Sequence, residues 1–546
     1  MKTNKKRISR HSQGEQQVVI HPVLFAINSI LFLYVEAFSF VDAWAITRSI
    51  VLSTVGTALL WIALRWWLGD LRKSALLTSL TLTLFFAYGA IAWKLNDFGW
   101  FPGTHWDPGS HAALWVVLTV LWGGVATLVR KYRLHSNWTY FANVFGTAAV
   151  VIPLMIGAQH TYTAIAIEKV VGLRHESLPT AGKEAVEEPP DIYWILPDTY
   201  ARADILADVF DYDNQPFIEE LKERGFSVSP EAVSNYSTTA LSVASILNMD
   251  YMQNLIDGNL EDSSNWWLSR RLLNENRLGR FLQARGYTTY SVATQYDNIS
   301  WRSDNRISRW WFLNYFEANL LPRTPIQVVS RILGMSALHE HHRARTRFAL
   351  DWVGEAADLP GPKFVFVQVV TPHPPFIFGP RGEAVNPPWR YSWAEGMAFE
   401  WMQPGATKSD YIEGFRGQVQ YINRQLIETV DRIQARSKRP PVIVVMSDHG
   451  PASGEWLSDL SHPSIIERFG ILNALRLPDV AAAEIPEDFS AVNTFRFILN
   501  QYFDARLDML EPKTYYTLEA QPYRYIPIEL TQDTQMPEAQ GDSCCD

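Results

Sequence analysis

The chain has 546 residues, a formal net charge of −9 and an apolar fraction of 47%. That length exceeds one ordinary domain, and an acidic balance without a basic stripe excludes a nucleic-acid partner. The two cysteines, Cys544 and Cys545, stand side by side in a polar tail, which excludes a disulfide framework.

The first predicted elements are five apolar stretches: His21–Val41, Ile46–Leu68, Ser74–Leu95, His111–Val129 and Tyr140–Ala158. Each comes near the ~20 residues a helix needs to cross a bilayer core. Their repetition, with no cleavage pattern after the first, argues against a signal peptide. Lys2, Lys5, Lys6, Arg7 and Arg10 precede the first stretch, Arg72 and Lys73 follow the second, and Arg130, Lys131 and Arg133 follow the fourth. The intervening loops, around Asp42 and through "NDFGWFPGTHWDPGS", lack Lys and Arg, although Arg48 and Lys94 lie just inside the stretches beside them. Basic loops stay cytoplasmic, so the N-terminus is expected inside and everything after the fifth span outside. Trp66, Trp67 and Trp100 suit interfacial belts. This gives an expected organisation of a five-span domain over 1–165, a linker over 166–190, an outer domain over 191–530 and a polar tail over 531–546.

Beyond Asp191 the pattern changes to short apolar strands, "DIYWILPD", "GYTTYSVAT", "KFVFVQVV" and "VIVVMSD". Amphipathic helical patterns lie between them, such as "NQPFIEELKERGF" and Tyr411–Ala435. This alternation predicts a parallel sheet covered on both faces. In such sheets ligands bind beyond the carboxyl ends of the strands. Three strands end in reactive groups: Asp198 after "YWILP", His373 after "FVFVQVVTP", and Asp448 with His449 after "VIVVMS". Carboxylates and imidazoles are metal ligands. The segment "NYSTTALSVASILNMDY" offers Ser237, Thr238, Thr239 and Ser242 at the start of a helical run. Hydroxyls there serve as caps, but a helix N-terminus also attracts phosphate, and a metal can activate a hydroxyl.

In this order, Asp198, "NYSTTALS", "TPHPPF" and "SDHG" make the chain resemble the sulfatase-like branch of the alkaline phosphatase superfamily. It is most similar to membrane-anchored phosphotransferases of the lipoteichoic acid synthase type. The resemblance implies a five-span α-helical transmembrane bundle followed by an α/β/α sandwich. It also implies a threonine nucleophile that shares a divalent metal with an acidic residue from the first strand and an Asp-His pair near the end. Carried over, these are Thr239, Asp198, Asp448 and His449. Thr239 is preferred over Thr238 because Thr239 and Ser242 reproduce a Thr-x-x-Ser pattern, and Ser242 is expected beside the substrate. His373 matches a histidine that touches the transferred phosphate group. Asp198 stands where lipoteichoic acid synthases use glutamate. The Cys or Ser followed by x-Pro-x-Arg that true sulfatases require is missing near Thr239, which argues against sulfate ester hydrolysis.

The resemblance implies that Thr239 takes a phosphorylated alcohol, phosphoglycerol or phosphoethanolamine, from a membrane phospholipid and passes it to a cell-envelope glycan or lipid. A phosphatase or phosphodiesterase, or a non-catalytic scaffold, are the alternatives. The mostly oxygen ligand set favours manganese, with magnesium or zinc as alternatives. The expected place is the bacterial cytoplasmic membrane, with the catalytic domain extracytoplasmic. Phosphoryl chemistry also asks for an arginine, for which Arg302, Arg306, Arg343 and Arg381 are candidates. "HEHHRAR" fails the H-E-x-x-H zinc pattern because Arg343 occupies the second histidine's place. His462 is a candidate substrate contact or second-metal ligand, with a surface-loop histidine as the plainer reading. Trp310, Trp311 and Phe312 are expected in the core rather than on a lipid-facing edge.

Overall fold

The computed structural model describes residues 18–98, 100, 108–174, 189–294, 299, 301–332, 336–387, 391, 393, 395, 406–454 and 462–530. Cys544 and Cys545 lie outside them. The N-terminal region holds five apolar helices, α1 (His21–Glu36), α2 (Thr47–Leu68), α3 (Leu71–Asp97), α4 (Pro108–Lys131) and α5 (Ser136–Val170). Among the described residues four of them, α2 to α5, are long and apolar enough to cross a membrane. The expectation of five full-length spans is met only in part. At 1.5 Å per residue the 16 residues of α1 extend about 24 Å, short of a ~30 Å hydrocarbon core.

α1 nevertheless runs from one end of the bundle to the other. Its N-terminal amides, with that of Ile20, meet Asn143 near the start of α5, at 3.1 and 3.2 Å. Its last residue, Glu36, pairs with Arg323 of the C-terminal region at 2.7 Å. The basic turns cluster at the end away from that contact, where Lys73 Nζ donates to the Arg130 carbonyl at 3.0 Å.

The C-terminal region is built on a seven-stranded sheet in the order β2-β7-β6-β1-β5-β3-β4. Its strands are β1 (Ile192–Pro197), β2 (Ser227–Val228), β3 (Thr288–Val292), β4 (Asn305–Ile307), β5 (Lys363–Val369), β6 (Val442–Met446) and β7 (Asn473–Arg476). β6, β1, β5, β3 and β4 are mutually parallel, with Trp194 of β1 between Phe366 and Val444. The expected all-parallel sheet is corrected here, because β7 pairs antiparallel with β6, and β2 antiparallel with β7. The chain returns from β6 to its neighbour β7 by way of helix His462–Phe469, and an antiparallel neighbour needs no crossover.

Alternation places Ile192, Trp194 and Leu196 in one core layer and Tyr193 and Ile195 in the other. Both layers are covered, which is why these strands are apolar throughout. Burying one such large side chain is worth about 1.5–3 kcal/mol. A two-stranded ribbon, β8 (Thr514–Leu518) and β9 (Gln521–Ile528), closes the fold.

The two regions interlock. Ile167 and Val171 near the end of α5 pack into the core layer that contains Trp194. Asp42, in the loop between α1 and α2, pairs with Arg270 and Arg302, each at 2.5 Å. After β4 the chain leaves the sheet and lies on the helical bundle. Phe316 packs among Ile30, Leu33 and Ala45, and Val328 packs among Tyr88, Ala92 and Leu114.

Candidate active site and metal centre

β1, β5 and β6 end side by side, and their carboxyl ends deliver the reactive groups. Asp198 follows β1 directly. Asp448 and His449 follow β6 after Ser447, and His373 lies in the loop beyond β5. Thr199, a β-branched residue, sits at φ 62. That left-handed conformation costs of order 1–3 kcal/mol and marks a strained turn next to Asp198. Its amide faces Asp448 Oδ1 at 3.4 Å.

Helix Thr239–Asn248 begins at the same place. Thr238 holds the N-cap position, but no side-chain cap bond is made there. The hydroxyls are therefore not consumed as caps. Thr239 Oγ1 instead lies 3.0 Å from His449 Nε2.

The tautomer of His449 follows from its other nitrogen. Nδ1 is 2.9 Å from the Gly450 carbonyl, which only accepts, so Nδ1 carries the hydrogen and Nε2 presents a lone pair. That lone pair faces Asp448 Oδ2 at 3.4 Å. Gly450 is required by close approach: a Cβ there would run into the Glu467 carbonyl.

Ligand atoms of Asp198, Asp448 and His449 all lie within 4.8 Å of one another, and all three residues are buried. Asp198 Oδ2 accepts from Gln368 Nε2 at 2.7 Å, while Asp198 Oδ1 and Asp448 Oδ2 have no hydrogen-bond partner among the described residues. Burial, then the Asp448 and Glu395 charges, push Asp198 well above the usual carboxylate range. Burial likewise raises Asp448. Burial, reinforced by Arg468, keeps His449 neutral by lowering it far below the ordinary imidazole value. Two buried carboxylates with orphaned oxygens and an imidazole lone pair fit a divalent cation, and the set of three protein ligands leaves coordination positions open.

Two residues that the sequence did not single out complete the site. Arg468 is buried. It donates to Glu395 Oε2 at 2.9 Å, to the Gly450 carbonyl at 3.0 Å and to the Ser237 carbonyl at 2.8 Å, and its Nη2 approaches His449 Nε2 at 3.5 Å. Burial pushes Glu395 up, but Arg468, with His373 beside it, outweighs it and holds it below its ordinary value. His373 joins through Glu395, with Nε2 at 3.7 Å from Oε2. Its Nδ1 hydrogen is fixed on the Pro374 carbonyl at 2.6 Å. Arg468 lies in a helix whose pattern carries no catalytic signal. Glu395 lies in an irregular segment.

Apart from His462, the remaining expected residues are not brought to this cluster among the described residues. The Ser242 hydroxyl turns inward and donates to the Tyr236 carbonyl at 2.9 Å, so it serves the loop before the helix. Arg302 is held by Asp42. Arg343, fully buried, is committed to the carbonyls of Ile377 and Val385 and to Glu340 and Asn386. Arg381 is exposed, and Arg306 stacks on Trp44. His462 opens helix His462–Phe469, but its side chain lies outside the described residues. The core expectation for the aromatic triplet is corrected. Phe312 is buried, but Trp310 is 87% exposed, because that stretch lies where the sheet domain meets the apolar helices.

The family model for sulfatases matches residues 190–487, more than half of the chain. No curated protein sequence matches. Among solved structures the chain is similar to the C-terminal periplasmic domain of EcEptC from Escherichia coli in complex with zinc. The identity is 13%, the coverage 64% of this chain and 96% of that one, and the TM-score 0.42. It is also similar to the integral membrane protein lipooligosaccharide phosphoethanolamine transferase A (EptA) from Neisseria meningitidis. There the identity is 12%, the coverage 88% of this chain and 94% of that one, and the TM-score 0.37. A protein in the alkaline phosphatase superfamily from Vibrio parahaemolyticus gives 12% identity over 63% of this chain and 75% of its own, with a TM-score of 0.38.

Proposed function

The chain belongs to the sulfatase family, and on that premise we propose that it is a membrane-bound phosphotransferase of the lipoteichoic acid synthase type. It moves a phosphorylated alcohol, phosphoglycerol or phosphoethanolamine, from a phospholipid to an envelope glycan or lipid. The observation that carries this reading is the Thr239 hydroxyl, 3.0 Å from the lone pair of a neutral histidine, among buried carboxylates. The side chain following Thr239 is Ala240 and no x-Pro-x-Arg follows. An unmodified hydroxyl nucleophile suits a covalent phosphoester intermediate better than sulfate ester hydrolysis.

Asp198, Asp448 and His449 would hold the divalent cation with Thr239, and their oxygen-rich set suits manganese over zinc. When bound, the cation supplies Lewis acidity that makes a hydroxyl a competent nucleophile. The protein's own groups do the rest. The Gly450 carbonyl keeps His449 Nε2 unprotonated toward Thr239. Thr239 Oγ1 gives up its proton to solvent and forms a bond to phosphorus as the bond to the lipid oxygen breaks; the acceptor hydroxyl oxygen then bonds to phosphorus as the bond to Thr239 breaks. His373, held against Glu395, is placed to give a proton to the departing oxygen. Arg468, fixed by three acceptors, contributes positive charge beside developing negative charge without reorganising.

The helical region keeps the site near its lipid donor. We read α1 as a fifth, shortened span, because it joins the basic end of the bundle to the sheet domain. An odd number of crossings and the basic turns then place the sheet domain on the extracytoplasmic side of a bacterial membrane.

The test is to incubate the full-length protein in detergent with phosphatidylglycerol, phosphatidylethanolamine and manganese, quench in acid, and map the Thr238–Thr239 peptide by mass spectrometry. A phosphoglycerol or phosphoethanolamine mass on Thr239, absent from Thr239→Ala, is expected. Bare phosphate on Thr239 would replace this reading with a phosphatase. An unmodified peptide without head-group release would leave a scaffold.

A further inference from the structure

Between β4 and helix Ala337–Glu355 the sheet domain sends a segment alongside the helical bundle. It holds helix Tyr315–Leu320, the single turn Leu321–Arg323 and helix Ile326–Ile332. Its depth follows from the basic ends of α3 and α4. Gly89 of α3 receives the Arg323 backbone, since a Cβ there would stand 2.7 Å from Arg323 Cα. At 1.5 Å per residue Gly89 lies about 27 Å from Leu71, where α3 starts. Val328 packs among Tyr88, Ala92 and Leu114. Leu114 lies about 24 Å along α4 from Arg130 in its last turn. Both distances are less than the ~30 Å of a hydrocarbon core. Phe316 packs among Ile30 and Leu33, short of Glu36 that ends α1. The segment thus stands beside α1 at the end where that helix falls short of a full span.

The segment meets the conditions that lipid sets. Two of its polar side chains bond back to its own backbone: Asn319 Nδ2 donates to the Tyr315 carbonyl at 2.8 Å, and Thr324 Oγ1 to the Leu321 carbonyl at 2.9 Å. Arg323 is paired with Glu36 at 2.7 Å. The non-helical link of Thr324 and Pro325 is buried in protein, the setting in which such backbone is tolerated at membrane depth. Helix Ile326–Ile332 buries Val328 against the bundle. It turns Ile326 and Val329, three residues apart and so on one face, outward at 48% and 40% exposure. Just beyond Leu114, α4 exposes Val116, Val117, Val120 and Leu121. The outward face of the segment and the exposed apolar surface of α4 therefore lie at one depth.

We propose that residues 315–332 of the sheet domain are inserted into the outer leaflet of the bilayer, with Ile326 and Val329 against acyl chains. The sheet domain is then seated in the membrane by this segment as well as by α5, which fixes its height over the lipid surface. The inference rests on the membrane reading of α2 to α5 but not on the chemistry of Thr239.

The experiment uses the full-length protein in liposomes of phosphatidylethanolamine and phosphatidylglycerol, carrying Cys544→Ser and Cys545→Ser. One nitroxide per molecule is attached at Ile326→Cys, Val329→Cys, Val55→Cys or Lys438→Cys. All four side chains are exposed, so labelling leaves the packing intact. Val55 on α2 is the lipid reference and Lys438, before β6, the water reference. Electron paramagnetic resonance compares collisions with oxygen, which enters hydrocarbon, and with a polar nickel chelate, which stays in water. The oxygen-to-nickel ratio at Ile326 and Val329 is expected to match that at Val55 and to exceed that at Lys438 roughly 10-fold. A ratio at both positions like that at Lys438, with Val55 high, would overturn the insertion and leave the membrane reading standing. A low ratio at Val55 as well would overturn both. Few collisions with either reagent at Ile326 and Val329 would overturn lipid as the occupant and place protein, such as a second copy, on that face.

Discussion

The two edges of the central sheet treat buried charge in opposite ways. At the amino edge, β5 starts with Lys363, whose ammonium is buried and donates to Asp191 Oδ2 at 2.6 Å and to the Leu359 carbonyl at 3.0 Å. Asp191 Oδ1 in turn accepts from the Lys363 amide at 3.1 Å. At the carboxyl edge, beyond β1 and β6, Asp198 Oδ1 and Asp448 Oδ2 are buried and have no hydrogen-bond partner among the described residues. One edge is satisfied and structural. The other holds unpartnered carboxyl oxygens and a strained Thr199, which is where a fold departs from self-consistency in favour of a ligand.

Three measurements sharpen or break this contrast, in order of expected size. Lys363→Met removes the cation at the satisfied edge and leaves Asp191 facing apolar surroundings. A loss of about 3–5 kcal/mol in chemical denaturation is expected, with the Thr239 adduct still formed by the folded fraction. A stability unchanged by this substitution would erase the difference between the edges.

Glu467, buried behind the site, tests how a buried carboxyl on that side responds to pH. Burial raises its pKa to about 7, against the opposing bonds from the Ser453 amide and hydroxyl. A folded-state pKa above the ordinary carboxylate value means the folded protein holds the proton more tightly. Its contribution is present at low pH and is lost as pH rises from about 4.5 to about 7. The loss amounts to about 3 kcal/mol at most. Glu467→Gln should flatten that part of the stability profile while keeping the Ser453 bonds.

Gln368→Met removes the one hydrogen bond given to Asp198 at the reactive edge. Metal affinity, measured by calorimetry, should fall about 10- to 100-fold, as is usual when a ligand loses its orienting partner. Unchanged affinity would show that Asp198 is not a ligand.

Much of this was legible along the chain. The apolar stretches, the fully apolar strands and the polar groups that end them announced a helical bundle and a covered sheet. Thr239, Asp198, Asp448 and His449 were each marked by their place at an element boundary. What escaped has physical causes. The antiparallel β7 leaves no signature, because a buried strand is apolar whichever way it runs. Ser242 fits a spacing pattern, yet its hydroxyl is consumed by the Tyr236 carbonyl. Trp310 looks like core in a sequence, because aromatic residues suit both a core and a membrane interface.

By itself, then, the sequence determined the local structure and which residues stand at the ends of strands, since backbone periodicity and residue chemistry are short-range properties. Tertiary structure alone decided that Arg468 and Glu395 join His449 and His373. Those groupings depend on distances between residues far apart in the chain, and such distances exist only after both core layers have packed.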